Sequence, residues 1–454
     1  MDSKTSTPLE TSQHSVLIDF EEAMRPEAQL GKLKEENKKQ FGCSLLPQQL
    51  VGIETRWVIH GVKIGLALVL VSLLYMLEPV HDRLGDNAMW AVMTVVVVFE
   101  YTAGATISKG VNRGIGTILG GGLGSLVALL AQEIGGIGKA LLISASLFFI
   151  SIPASYLRMV PNFKKKYDYG ALIFILTFSL IANSGIRGDE IIKITCDRLS
   201  SICMGFAICI FVSLFVFPNW AGDELHASLA TKFDHLACSI EEYMEENINP
   251  QEGKKETQTA YNHQRCRSII SSKSTDETLA KNAKWEPWHG RFGFSYPWNK
   301  YLQIGEHFRE LACSIIALSE CLQFMYKHPP SEALTVVRKS CEASCTLLAI
   351  MFREFGSNIY NMKRNDKKEF ILKHFHMIRS ELCAPLLLSE LSIVINIPKE
   401  VTRCGISSSS SSSSSSSCIV FQLLEVMAKA EEIAKEVEEL GDVAGFTHVK
   451  YTES

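Results

Sequence analysis

The stretch WAVMTVVVVFEYTAGATISKGVNRGIGTILGGGLG, Trp90 to Gly124, decides the fold class. Over its whole length only Glu100, Lys109 and Arg113 are charged. The runs on either side of these charges are too apolar to lie on a soluble surface, and they extend into longer segments of the length that crosses a bilayer, about 20 residues for about 30 Å of hydrocarbon. Working outward, the same character recurs. Trp57 to Leu77, Ala88 to Thr106, Gly114 to Gln132, Ala140 to Leu157, Tyr169 to Gly185 and Leu199 to Phe217 are each apolar with few or no charges. A soluble helical protein rarely repeats that pattern six times in so short a span, so six transmembrane helices are expected.

The full chain of 454 residues is 47% hydrophobic and 21% charged, an average over two unlike halves. The reading is all-α: a tail over 1–56, a six-helix membrane domain over 57–217, and a helical bundle over 218–454. Short connections make successive spans antiparallel. With the N-terminus cytosolic, Lys109, Arg113, Arg158 and Lys164 to Lys166 fall inside, while the outer loops carry only Arg83, Lys139, Arg187 and Lys193, as the positive-inside rule requires. An even number of spans returns the C-terminal half to the cytosol. There Leu225, Leu229, Phe233, Ile240 and Tyr243 recur near helical spacing among charged residues. Further helical patterns cover Tyr301 to Tyr326, Ser331 to Phe355, Asp366 to Ile397 and Ile419 to Leu440. Residues 249–283 are polar and read as loop. The run Ser407 to Ser417 has no apolar surface to bury and reads as a disordered linker.

Several functional classes are excluded. The net charge of −4 and the lack of a long basic run leave no nucleic-acid surface. The 13 cysteines form no CxxC pair or zinc spacing; Cys341 and Cys345, one turn apart, read as buried thiols. No nucleophile constellation, phosphate-cradling loop or cofactor motif occurs, so an enzyme is not expected. The N-terminus has no secretory signal, so the first span must target the chain.

An ionisable group inside a membrane is costly unless it faces water or a partner, which ranks the remaining charges as functional candidates. Lys109 and Arg113 lie four apart at the start of the third span and share one helix face. Arg198 opens the sixth span, with Lys193 five residues before it. A pore that selects anions needs such fixed positive charge, and arginine offers a planar fork to a carboxylate. The competing reading is that these cations snorkel to headgroups, or that Arg198 pairs with Asp197 or Glu100. Glu100 reads as the partner of a basic side chain rather than as a proton-coupling carboxylate. Trp90 reads as an interfacial anchor, with narrowing of the pathway as the alternative. Gly116, Gly120 and Gly124, four apart, let another helix approach closely.

The quoted stretch, together with KKKYDYGALIFILTFSLI (Lys164 to Ile181), VFPNWAGDELH (Val216 to His226) and WEPWHGRF (Trp285 to Phe292), closely resembles the plant aluminium-activated malate transporters. The resemblance implies an anion channel, not an enzyme, that assembles as a homodimer in a plasma or vacuolar membrane, and passes malate, other dicarboxylates or inorganic anions. It implies pore roles for Arg113, in SKGVNRG, and for Arg198, in DRL; Lys109 and Lys193 flank them. Aluminium-responsive members carry an extracellular acidic cluster. Asp82 and Asp189 match positions of it, but Lys193 stands where an acidic residue is expected, and a cation there opposes a trivalent metal. Activation by aluminium is therefore not expected. The alternative function is a proton-coupled exporter of carboxylic or aromatic acids, with Glu100 as the coupling group.

Overall fold

The computed structural model describes residues 45–77, 88–184, 188–248, 264–293, 296–327, 332–364 and 410–448. The chain forms two units, residues 1–69 and 70–454. Helix α1 (Leu45–Met76) begins in the first unit, well before Trp57, and is apolar from Thr55 onward. In the second unit α2 (Ala88–Val98), α3 (Ala103–Ile134), α4 (Gly136–Met159), α5 (Pro161–Ala182) and α6 (Gly188–Phe215) follow.

Among the described residues, four helices are long and apolar enough to cross a membrane: Thr55–Met76, Ala103–Ile134, Gly136–Met159 and Thr195–Phe215. The expected count of six is not reached on these criteria. Helix α5 carries Lys164, Lys165, Lys166 and Asp168 in its first turns, and α2 has only 11 residues. The second expected span, Ala88 to Thr106, is not one helix. It stops at Val98, and Thr102 starts α3 as an N-cap, its extended backbone turned so that its hydroxyl accepts from the Ala105 amide at 3.4 Å. A capping threonine satisfies an amide that a continuous helix would bond to its own carbonyl, so the break is locally stable. Thr106 Oγ1 completes it, accepting from the Glu100 amide at 3.0 Å.

Helix α3 is the one around which the others arrange: it packs on α5 and α6, while α2 packs on α6 and α4 on α5. The glycine ladder makes the α3–α5 approach possible. A Cβ on Gly120 would lie 2.5 Å from the Phe174 carbonyl oxygen and 3.1 Å from the Phe178 amide, and Gly116 and Gly124 face Gly170 and Ile181 in the same way. The turn between α4 and α5 is a Val160-Pro161 corner, crossed by an ion pair of 2.9 Å from Arg158 Nε to Asp168 Oδ1. Helix α4 presents Phe148, Phe149 and Ile152 outward, each more than half exposed, and only 6% of its apolar window is buried. Such a surface is stable against hydrocarbon and not against water.

The C-terminal helices show the opposite arrangement. Helices α7 (Ala221–Ile248), α8 (Lys273–Ala283), α9 (Trp298–Lys327), α10 (Glu332–Asn361) and α11 (Ser410–Ala444) bury one face each. Phe233 sits at the centre, with Phe308 at 4.5 Å edge to face and Phe352 and Phe355 around it. Lys232 and Asp276, both buried, form an ion pair of 2.5 Å between α7 and α8, with Arg309 of α9 at 3.7 Å. The only strands among the described residues, β1 (Lys363–Arg364) and β2 (Thr447–His448), pair in parallel and join the chain just after α10 to the chain just after α11.

Two expectations differ here. Part of the polar stretch expected as loop, Lys273–Ala283, is helix α8, because Leu279, Ala280 and Ala283 are buried in the core and supply the missing apolar face. Helix α11 begins at Ser410, inside the serine run, whereas Ser407 to 409 lie outside the described residues. Serine is only modestly worse than alanine in a helix, by about 0.5 kcal/mol, so a helix anchored by Ile419, Val420, Leu423 and Met427 extends back through it. The expected helix from Asp366 to Ile397 lies outside the described residues.

Substituting Gly120→Ala forces α3 and α5 apart and is expected to lower stability by about 1–3 kcal/mol, as overpacking does. Gly122→Ala, where a Cβ meets nothing within 4 Å, is expected to cause no loss. Thermal unfolding of the two detergent-purified variants beside the wild type checks the contrast.

Candidate ion pathway

The break before α3 leaves Glu100 in non-helical backbone, not late in a helix, and its carboxylate turns to Lys109, whose Nζ lies 2.5 Å from Oε1. The same ammonium stands 5.4 Å from the centre of the Tyr169 ring, near the start of α5. Tyr169 meets Arg113 as well: Arg113 Nη1 donates to the phenolic oxygen at 3.2 Å. One tyrosine thus serves both cations of the SKGVNRG stretch, the ring facing one and the hydroxyl bonded to the other.

Because α3 starts at Ala103, Arg113 is ten residues into the helix, about 15 Å along its axis. Its side chain is 4% exposed, and its Nε has no hydrogen-bond partner. Arg198 is likewise ten residues into α6, not at its start. Its guanidinium carbon lies 4.7 Å from the centre of the Trp90 ring of α2, and its Nε is also buried without a partner. Stacking of this kind contributes roughly 1 kcal/mol and leaves the edge donors of the fork free. Among the described residues no carboxylate pairs with Arg113 or Arg198; Glu100 is taken by Lys109, and Arg198 pairs with neither Glu100 nor Asp197.

Helices α3 and α6 run antiparallel. Gly110 abuts the Phe206 ring and Gly121 the Thr195 methyl group. This register puts Arg198 level with residue 118, five residues beyond Arg113, so about 8 Å separates the two backbone levels along the axis. They stand at neighbouring levels of two adjacent helices. Lys193 is exposed on α6 and stands apart from them. Asp82 lies outside the described residues, and the side chain of Asp189 is likewise not described. No group of three or more His, Cys, Asp or Glu residues that would hold a metal occurs among the described residues.

The segment after α6 closes the other side of the break. The Ala103 amide donates to the Asn219 carbonyl at 3.0 Å, and the Asn219 side chain donates to the Tyr101 carbonyl at 3.4 Å. The buried carboxylate of Glu286, in WEPWHGRF, accepts from the Ala221 amide at 2.5 Å and from the Gly222 amide at 3.0 Å, so it caps α7. Burial raises its pKa above the ordinary carboxylate value, while these amides, His289 and the Gly104 amide pull the other way. Gly104 leaves no room for a Cβ against the Asn282 carbonyl and the Glu286 stem. His289 stacks on Trp220 at 3.9 Å. Lys165, in the first turns of α5, is tied to α8 by Glu277 at 3.5 Å and by Lys281, which donates to the Lys165 carbonyl at 2.5 Å.

Tyr169 and Glu286 were within quoted motifs but carried no role in the sequence reading. Tyr169 lacked a signal, since an aromatic residue at the head of an apolar segment is common. Glu286 had one: an acidic residue beside two tryptophans in a polar stretch is poorly placed for solvent.

A profile described as "aluminium activated malate transporter" matches residues 49–417. Among curated relatives, aluminum-activated malate transporter 12 of Arabidopsis thaliana is 39% identical over 74% of the chain and 60% of its own length. Aluminum-activated malate transporter 2 of the same plant is 36% identical over 87% of the chain and 77% of its own length. Aluminum-activated malate transporter 1 of Triticum aestivum is 40% identical over 59% of each. The chain thus spans little more than half of several relatives it matches.

Replacing Glu286 by alanine strips the acceptor from two helix-start amides in a buried setting. A loss of about 1–3 kcal/mol is expected, read as a lower unfolding temperature, and Glu286→Gln is expected to recover part of it because its amide oxygen still accepts.

Proposed function

The chain belongs to the aluminium activated malate transporter family and is a multi-pass membrane protein, and from this premise we propose that it conducts malate and other organic or inorganic anions passively. The observation that carries this reading is the pair of arginines without carboxylates. A guanidinium removed from water costs several kcal/mol unless something compensates it. Tyr169 and Trp90 compensate in part and leave donors unused. A passing carboxylate supplies the missing charge and accepts from those donors.

In this reading α2 and α5 complete six crossings, the tail over 1–56 and the half over 218–454 lie in the cytosol, and a second copy of the chain doubles each cation around the path. The relatives' names tie malate to those proteins; the arginine fork suits such a dicarboxylate. Proton-coupled export is less well supported, because Glu100 holds Lys109 at 2.5 Å and is not a free carboxylate.

Patch-clamp of cells expressing the chain, with malate on one side, provides the test. Currents are expected to reverse at the anion equilibrium potential whatever the proton gradient. Arg113→Ala and Arg198→Ala are each expected to cut malate current roughly tenfold or more at equal surface abundance, the scale of a lost charge-assisted hydrogen bond; unchanged currents would return both residues to a snorkelling role. Extracellular aluminium is expected to leave the current unaltered, since Lys193 opposes a trivalent cation.

A further inference from the structure

Lys109, Arg113, Thr117, Gly121 and Ser125 occur at every fourth position of α3 and so lie along one slowly turning stripe. Beyond Arg113 the stripe has no charge, yet it is not apolar. Ser125 Oγ is 3.3 Å from Thr195 Oγ1 of α6. At Gly121, between them, a Cβ would stand 3.0 Å from the Thr195 methyl group and 3.9 Å from that of Thr177.

Thr117 is the telling residue. It is 3% exposed, and its hydroxyl has no hydrogen-bond partner. Other hydroxyls in these helices relieve the same problem by turning onto the carbonyl four residues back: Thr94 to Trp90 at 2.7 Å, Ser179 to Ile175 at 2.8 Å, Ser201 to Asp197 at 2.9 Å. Thr117 does not. The carbonyl it declines belongs to Arg113, whose own Nε is orphaned one turn away, and the register between α3 and α6 sets Thr117 almost level with Arg198. Two buried donors without partners, one turn apart on α3 and level with a third on α6, are placed to serve one acceptor.

We propose that Thr117, with Ser125 and Thr195 beyond it, forms a hydroxyl station for a partly dehydrated anion, continuing the pathway from Arg113 past Arg198. The inference rests on the anion-conducting reading above. Arginine supplies charge but, used alone, holds a carboxylate too long for conduction; neutral donors let it leave one strong site for a weaker neighbour. The O–H of Thr117 donates to the carboxylate oxygen, and no covalent step is involved.

The test is whole-cell current and the malate-to-chloride permeability ratio, both normalised to surface abundance, in wild type, Arg113→Ala, Thr117→Val, Thr117→Ser and the double variant Ser125→Ala with Thr195→Val. Valine keeps the shape of threonine without the hydroxyl. Thr117→Val is expected to lower malate current roughly tenfold and to reduce the permeability ratio, Thr117→Ser to behave as wild type, and the double variant to show a smaller loss of the same sign. Wild-type current and ratio in both Thr117→Val and the double variant overturn the station. Equal losses in Thr117→Val and Thr117→Ser do so too, because packing would then be the cause. If Arg113→Ala lowers the current while Thr117→Val and the double variant keep wild-type current and ratio, the station alone falls; if the wild type passes no anion current, the conducting reading falls with it.

Discussion

Positive charge without a matching carboxylate, held where water is scarce, is the constraint on which this protein turns. A buried arginine is tolerated when its desolvation is offset. For the buried Arg113 a phenolic hydroxyl does part of this, and for the half-buried Arg198 an indole face. Neither neutralises the charge. Had the chain carried acidic residues opposite them, the helices would pack as firmly, with both charges neutralised. Glu100, the acidic residue nearest in sequence to Arg113, is instead drawn to Lys109.

Glycine makes the arrangement possible. Without side chains at Gly116, Gly120 and Gly124, helices α3 and α5 approach until backbone nearly touches backbone, and Tyr169 near the start of α5 comes within reach of Arg113. Van der Waals contact over such a seam is the main source of helix association in lipid, where apolar burial gives no advantage. The seam and the charges are therefore one design: loosening the first moves the second.

Much of this was legible in the sequence. Apolar length disclosed membrane helices, and the four-residue spacings disclosed the shared face of Lys109 and Arg113 and the close glycine crossing. What was missed has a common origin. Hydropathy sums over a window, so it merged α2 with the start of α3 and passed over Thr102, whose effect depends on one hydrogen bond. It also hid α8, whose few apolar residues matter only once α7 and α9 provide a core for them. That Arg113 and Arg198 each lie ten residues into a helix was not legible, because helix starts are set by caps and not by where hydrophobicity begins. Their neighbours Tyr169 and Thr117 owe their settings to packing between helices, which no single-chain periodicity records.

Glu286 is bonded to the first two amides of α7 and lies against Gly104 at the first turn of α3. Two rods share one pin. A swivel of the C-terminal half about that pin cannot leave α3 where it was, since Asn219 also grips the backbone at Tyr101 and Ala103. The linkage is short, made of main-chain atoms and one carboxylate, so the starts of α3 and α7 are held as one joint.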